Sequence, residues 1–278
     1  MSKIYEQGAT DLIVGTQTGG SFTTSKKIRG VMEVTIDIAE QTAKISADND
    51  PGFLKLKGPA MGSGTIKMTA IPPDDYASLT SAISGKSKVI AFGEQGTSLE
   101  SGLSFKKLQY TDGIESINIV MIHNIVFGIP KEGSKSIDEN GTEITECEIP
   151  FDVYPAFYTE GSTARRRTLT KINSLKSPAL YDKLKDKCFT PSEASFEACD
   201  VTFDTTPPTA TIVVKFGSIV ISPNTDGTYS LTAGSYTYTA SNDEYVTQAD
   251  VPLVIGDEEV TAGVKTVEVT LQAVEEGG

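Results

Sequence analysis

His123 is the only histidine in the 278 residues, and histidine is the side chain best suited to trade a proton near neutral pH or to hold a metal. Either task needs partners at a set spacing. Its neighbours are Met121, Ile122, Asn124 and Ile125, the most apolar stretch of the chain, so it reads as a structural core histidine. Asp48-Asn49-Asp50 has the opening of a calcium loop, but Pro51 follows and Pro59 stands where the closing glutamate belongs, so the turn reading prevails. Gly62-Ser63-Gly64 and the Gly93, Gly96 pair are weak phosphate-loop signals, because Lys67 occupies the place of a third glycine and neither opens a helix after a strand. The chain has no Gly-x-Ser-x-Gly elbow, the strand-to-helix turn that exposes a serine nucleophile. Glu146 and Glu148 share one face of a strand and read as solvated carboxylates, not as a glycosidase pair. Cys147, Cys188 and Cys199 are odd in number and lack Cys-x-x-Cys spacing, which disfavours a disulfide framework and a zinc site, although Cys188 and Cys199 remain open to pairing under oxidant. The inventory yields no enzyme, no cofactor and no metal.

The concentrated basic feature is Arg165-Arg166-Arg167. It could touch nucleic acid, yet in a chain with 24 Lys+Arg against 37 Asp+Glu and a formal charge of −13 three arginines better suit carboxylates on a neighbouring copy. These are subunit-contact candidates. The overall acidity disfavours tight binding of phosphate backbones, which needs a basic surface. It suits a wall that DNA passes without sticking.

The segments that would position these residues read mostly as strands. Met32, Val34, Ile36 and Ile38 alternate with polar residues, and Ala43, Ile45 and Ala47 resume the pattern, so an antiparallel pair is expected there. A long loop is expected from Asp48 to Gly64, ending where Ile66, Met68 and Ala70 return to strand period. Loops of that length are usually functional or ordered by a partner, which makes Asp48, Asp50, Phe53, Leu54, Lys55, Lys57 and Met61 candidate contact residues. Tyr76, Leu79 and Ile83 keep helical spacing between Pro72 and Gly85, predicting one short helix. Strands are expected at Lys88 to Phe92, Leu103 to Tyr110, Ile114 to Phe127 and Thr142 to Val153, the third apolar on both faces and so covered on both sides. Ser177-Pro178 predicts a second short helix carrying Leu180 and Leu184.

After Thr205-Thr206-Pro207-Pro208 the composition changes. Residues 207–278 hold two lysines against ten acidic residues, and Tyr229 with Leu231, Tyr236 with Tyr238, and Val267, Val269 and Leu271 recur at period two. Asp226-Gly227 and Ala233-Gly234 mark expected hairpins. The stretch DGTYSLTAGSYTYTASNDEYV resembles small immunoglobulin-like or carboxypeptidase-regulatory-like β-sandwich modules. Two domains are therefore expected, 1–206 and 207–278. No segment is long and apolar enough to span a membrane, and MSKIYEQGATDLIVG lacks the pattern of a signal peptide, so cytoplasmic synthesis is expected.

The pieces KIRGVMEVTIDIAEQTAKISADNDP, GTIKMTAIPPDDYASLTS, IVFGIP and TEITECEIPFDVYPAF resemble, over residues 25–190, the major tail proteins of long-tailed phages, especially the phi13-like group. The basic stretch from Glu160 to Lys187 departs from that pattern. The resemblance implies a mainly β fold, a tail-tube β-barrel or β-sandwich with one or two short helices, followed by an immunoglobulin-like sandwich as outer decoration. It also implies a virion protein assembled in host cytoplasm into stacked, hexameric rings that conduct genomic DNA, with tape measure, distal tail and tail terminator proteins as partners. The Asp48 to Gly64 residues would then lie between rings. A second class of function is a cell-surface or carbohydrate-binding sandwich, against which the absence of tryptophan counts, since sugar sites often use aromatic platforms.

Overall fold

The computed structural model describes residues 4–47, 50–72, 75, 79, 83–84, 90–91, 100–132, 146–160, 163–194 and 197–274. The chain is mainly β with two short helices among the described residues, and no described helix is long and apolar enough to cross a membrane. It divides into two compact units, Met1–Lys171 with Asp186–Ala194, and Ile172–Lys185 with Ser195–Gly278.

The first unit contains β1 (Ile4–Thr18), β2 (Ser21–Lys27), β3 (Val31–Ala47), β4 (Asp50–Met68), β5 (Ile83–Ser84), β6 (Ile90–Ala91), β7 (Ser101–Thr111), β8 (Ile114–Phe127), β9 (Lys131–Glu132), β10 (Cys147–Tyr154), β11 (Ala156–Glu160), β12 (Thr163–Arg167) and the start of β13 (Leu169–Asn173), whose last two residues are counted with the second. Seven of these run in the order β2-β1-β7-β8-β10-β4-β3, with β13 joined to β8 and β9 to β10. Leu12 and Val14 of β1 share one core with Ile66 and Met68 of β4, Phe105 of β7, Ile122 and Ile125 of β8, and Ile149 and Phe151 of β10, and Ile36 and Ile38 of β3 pack against it. The sheet must therefore curl, since strands near its two ends bury side chains in the same cluster. β8 is buried on both faces at its centre, where residues 118–123 are all inaccessible, as its two-sided apolar run demands. β10 alternates as expected, with Cys147, Ile149, Phe151 and Val153 inward. Its core approach depends on glycine: a Cβ on Gly64 would sit 2.3 Å from Phe151 Cζ and 2.5 Å from the Thr35 carbonyl oxygen.

Two expectations fail here. Val31 to Ala47 is one strand, not an antiparallel pair, and the expected loop from Asp48 to Gly64 is the strand β4 from Asp50 onward. The backbone pairs continuously from Val31↔Met68 out to Ala47↔Asp50 with shifts of register on the way. Gly52, Gly58 and Pro59 fall at those irregularities, which are where strands tolerate such residues, whereas Gly62 and Gly64 sit in regular register opposite Ile38 and Ile36. The helix expected between Pro72 and Gly85 falls mostly outside the described residues; of its expected residues Leu79 is helical and buried, whereas Ile83 is in a strand. The expected strand at Lys88 to Phe92 is described only at Ile90–Ala91, and residues 142–145 of the fourth run lie outside the described residues.

The second unit begins with α1 (Pro178–Leu184), which buries Pro178, Ala179 and Leu184. Its strands are β14 (Cys199–Thr206), β15 (Thr211–Phe216), β16 (Ile219–Ile221), β17 (Tyr229–Leu231), β18 (Gly234–Asn242), β19 (Tyr245–Ile255) and β20 (Val264–Thr270), with α2 (Asp257–Ala262) before the last. One sheet has the order β17-β14-β20 and the other β16-β15-β18-β19. Val201, Tyr229, Leu231 and Val269 from the first share a core with Val214, Tyr236, Tyr238 and Leu253 from the second, so the unit is a two-layer sandwich. Phe203 packs its ring 5.7 Å from Tyr229 and 5.1 Å from Tyr238, and the Tyr229 hydroxyl donates to the Ile212 carbonyl at 2.9 Å. Buried tyrosines keep their polar tips satisfied in this way.

The expected division after Thr206 falls inside this sandwich. β14 pairs in parallel with β20 from Asp200↔Val264 to Thr206↔Thr270 and gives Cys199 and Val201 to the core. Pro207 and Pro208 mark the end of β14, because proline cannot donate to a ladder, and not the end of a domain. Gly227 and Gly234 likewise do not sit in hairpins: Gly227 lies on the connection from β16 to β17 and Gly234 is the first residue of β18, and both connections cross between sheets, since β17 pairs with β14 whereas β16 and β18 pair with β15. The hairpin glycine is Gly217, at φ 57° between β15 and β16.

Candidate functional site

His123 is buried on β8, with Nδ1 3.1 Å from the Phe189 carbonyl oxygen and Nε2 2.6 Å from Thr170 Oγ1. A carbonyl only accepts, so Nδ1 carries the proton and Nε2 accepts from the threonine. Burial pushes the imidazole down to about 4, and the nearby Arg167 guanidinium adds to that effect against the pull of the Phe189 carbonyl. The ring is a neutral core group that ties β8 to the segment around Phe189. Among the described residues no three His, Cys, Asp or Glu side chains gather as metal ligands. All three cysteines are free and buried, and burial pushes the Cys188 thiol up to about 12.

The three arginines separate, for a reason inherent in strands. Successive side chains of β12 point to opposite faces, and the register pairs Arg167 with Ala156, Arg166 with Phe157 and Arg165 with Tyr158. Arg167 is 8 % exposed and donates from Nη1 to the Pro191 carbonyl at 3.0 Å and the Ala194 carbonyl at 2.7 Å, and from Nη2 to the Tyr158 hydroxyl at 2.9 Å. It is committed inside its own subunit, so it leaves the set of subunit-contact candidates. Arg165 shares that face and pairs with Glu160 at 2.5 Å. Arg166 points to the opposite face, stacked 5.1 Å over the Phe157 ring, while Arg165 stays exposed beside Glu160. Phe157 is 72 % exposed, the most exposed large apolar side chain described. The sequence reading missed Phe157; the signal was present in the Tyr154 to Thr159 alternation, where an apolar ring falls on the phase opposite to Ala156 and Tyr158.

Of the other contact candidates, Asp48 lies outside the described residues, while Asp50, Phe53, Leu54 and Lys55 belong to the outer part of β4. Lys57 pairs with Glu40 across the ribbon at 2.9 Å, and Met61 is half-buried opposite Ala39. From Ala39 and Met61 outward, β3 and β4 pair only with each other among the described strands, because β10 stops at Val153↔Gly62. The arm comprises β3 residues 39–47 at ~3.3 Å each, roughly 30 Å. Inward of the arm, the outer face of three strands carries registered rows: Glu33, Lys67 and Glu148, with Lys131 of β9 opposite Glu148, then Thr35, Thr65 and Pro150, then Asp37, Ser63 and Asp152. Lys67 reaches Glu33 at 3.1 Å and Glu148 at 4.0 Å. Asp37 and Asp152 are exposed, and their own row holds no lysine.

A second ionic group holds the opposite end of the sheet. Lys106 bridges Asp11 at 3.0 Å and Asp186 at 3.1 Å, Lys27 also pairs with Asp11, and these partners hold the Asp11 carboxyl below its ordinary range. It is a structural clasp between β1, β2, β7 and the 186–194 segment.

No protein-family model and no curated protein matches the chain. Solved structures that match over 58 % of this chain include a chain of the PVC sheath-tube complex of an extracellular contractile injection system in its extended state, at 14 % identity and TM-score 0.32, covering 89 % of that chain. Others are a chain of the anti-feeding prophage tube-terminating cap, at 14 % identity, TM-score 0.31 and 87 % of that chain, and a chain of the native gene transfer agent virion, at 10 % identity, TM-score 0.30 and 99 % of that chain.

Proposed function

We propose that this protein is a structural virion subunit, a major tail protein whose copies form hexameric rings stacked into a tube that conducts DNA. The observation that carries this reading is the β3–β4 arm. A two-stranded ribbon is marginal in water by itself, and an arm of this length without a further strand along it is explained by a neighbouring ring against which it lies. The sequence resemblance over residues 25–190 supports the same assignment. The outer-arm residues Asp50, Phe53, Leu54, Lys55 and Lys57 would meet the adjacent ring, with Met61 at the root of the arm, and Asp48, outside the described residues, is proposed as a contact with them. The second unit, immunoglobulin-like in its two-layer build, would decorate the outside, where its acidity keeps tubes apart by like-charge repulsion. Tape measure, distal tail and terminator proteins would be its partners in the host cytoplasm, and DNA would pass an acidic or neutral wall without specific binding.

Sedimentation and negative-stain microscopy of the purified full chain over a range of concentrations test this. Rings or tubes are expected, and a variant with residues 42–57 replaced by an Asn-Gly turn should keep the fold but fail to stack. A wild-type chain that stays monomeric at every concentration, and also in the presence of an initiator complex, refutes the assignment.

A further inference from the structure

Resting on that reading, we infer that the β11–β12 hairpin is the plug of the contact between copies, and that its socket is the outer face of β3, β4 and β10 on a second copy, around Asp37 and Asp152. The hairpin is a two-stranded ribbon paired with no other described strand. Its outward face presents Phe157 and Arg166 as a cross-strand pair, flanked by the pair Thr159 and Ala164. An exposed phenylalanine ring with an arginine stacked on it combines two side-chain types enriched at protein interfaces relative to the rest of the surface. Among the described residues no carboxylate pairs with Arg166, whereas its neighbours Arg165 and Arg167 are already engaged within the chain.

The occupant follows from charge and register. Asp37 and Asp152 lie in one row across Ser63, about 10 Å apart at two strand spacings, on an exposed face where Lys67, two rows away, is taken up by Glu33 and Glu148 and Lys131 stands opposite Glu148 in that same distant row. A guanidinium set over Ser63 can reach carboxylates on both sides, and the serine leaves room for a ring beside it. Both surfaces belong to the same chain but are different patches, so docking one on the other is a heterologous contact. Repeated head to tail, such a contact closes into a ring or runs on as a filament. The ring reading thus acquires a specific pair of surfaces.

The test uses the full-length chain. Arg166→Glu, Phe157→Ala and the double variant Asp37→Lys with Asp152→Lys should each raise the concentration at which rings appear by about tenfold or more, as loss of a desolvated charge pair or aromatic anchor does. Arg166→Glu combined with Asp152→Arg should recover part of that loss, and Arg165→Ala should change it little. Urea midpoints equal to wild type show that the variants are folded. If wild type assembles and Arg166→Glu and Phe157→Ala assemble at the same concentration, the hairpin docks elsewhere and this inference fails while the tail assignment stands. If Arg166→Glu assembles normally but loses retention on DNA in a filter assay, the hairpin is a nucleic-acid contact and the inference is likewise overturned. A wild-type chain that never assembles removes both.

Discussion

Replacing Arg167 by methionine separates two adjacent arginines that composition treats alike. The substitution keeps most of the stem's volume and removes three donated hydrogen bonds, to the carbonyls of Pro191 and Ala194 and to the Tyr158 hydroxyl, together with stacking 4.8 Å over the Tyr158 ring. Hydrogen bonds from a charged donor contribute about 1.5–3 kcal/mol each, but they act as one group here, and leaving their neutral acceptors without a donor at about 1–3 kcal/mol apiece gives roughly 3–5 kcal/mol in total. For a domain of this size each kcal/mol shifts the melting temperature by about 2–4 °C, so a drop of roughly 6–20 °C is expected. Arg166→Met should stay within about 0.5 kcal/mol of wild type, the usual range for an exposed position. Calorimetry or urea unfolding of the two variants side by side measures the contrast. A second readout is the His123 imidazole: loss of the Arg167 charge should raise its titration, visible by NMR. Equal destabilisation by the two substitutions, or none by Arg167→Met, would refute the partition of the run by strand alternation.

The buried His123 sets a pH dependence of definite sign. Its folded value of about 4 lies below the ordinary ~6.5, so the unfolded chain binds the extra proton between those limits, and about 3 kcal/mol of stability present above pH ~6.5 is lost as pH falls toward ~4. Urea midpoints at pH 7 and 4.5 should converge between wild type and His123→Gln as the pH drops; parallel curves would show that the imidazole is not buried neutral. Gly64→Ala should destabilise by about 1–3 kcal/mol through overpacking against Phe151 and the Thr35 carbonyl, and an unchanged melting temperature would count against the close approach of β4 and β10. The three thiols should ignore a disulfide-exchange reagent until denaturant is added, since each is buried and free; prompt reaction of one thiol at pH 8 contradicts that burial.

Strands whose alternation was complete could be read from sequence: β8 and β10 match their expected faces residue for residue, because one or both faces had to be buried. The β3–β4 arm was misread as a loop since its glycines and Pro59 are loop formers locally, and what holds it is pairing with a strand fixed elsewhere by the core. The second unit's extent was misread for a related reason. Cys199 to Thr206 alternates as a strand, but which sheet it joins is decided by a ladder with Val264 to Thr270, more than fifty residues away, and no local signal reports that. The arginine run shows a third kind of failure: Arg165, Arg166 and Arg167 form a cluster in sequence and two opposite faces in space, so residue type was legible and direction required knowing that β12 is a strand.

The parallel ladder between β14 and β20 also has a mechanical meaning. Traction applied through the chain before Cys199 and the chain after Thr270 pulls on opposite ends of the paired strands, along their length. All the hydrogen bonds between Asp200↔Val264 and Thr206↔Thr270 are then sheared together, whereas an antiparallel pair held by the same two ends would peel apart one bond at a time. Forced unfolding is governed by the height of the first barrier, and shear places nearly the whole ladder in that barrier. The sandwich should therefore resist being drawn out by its two ends far better than its modest size suggests, and yield first when tugged sideways at β17 or β16, the short strands on its margins.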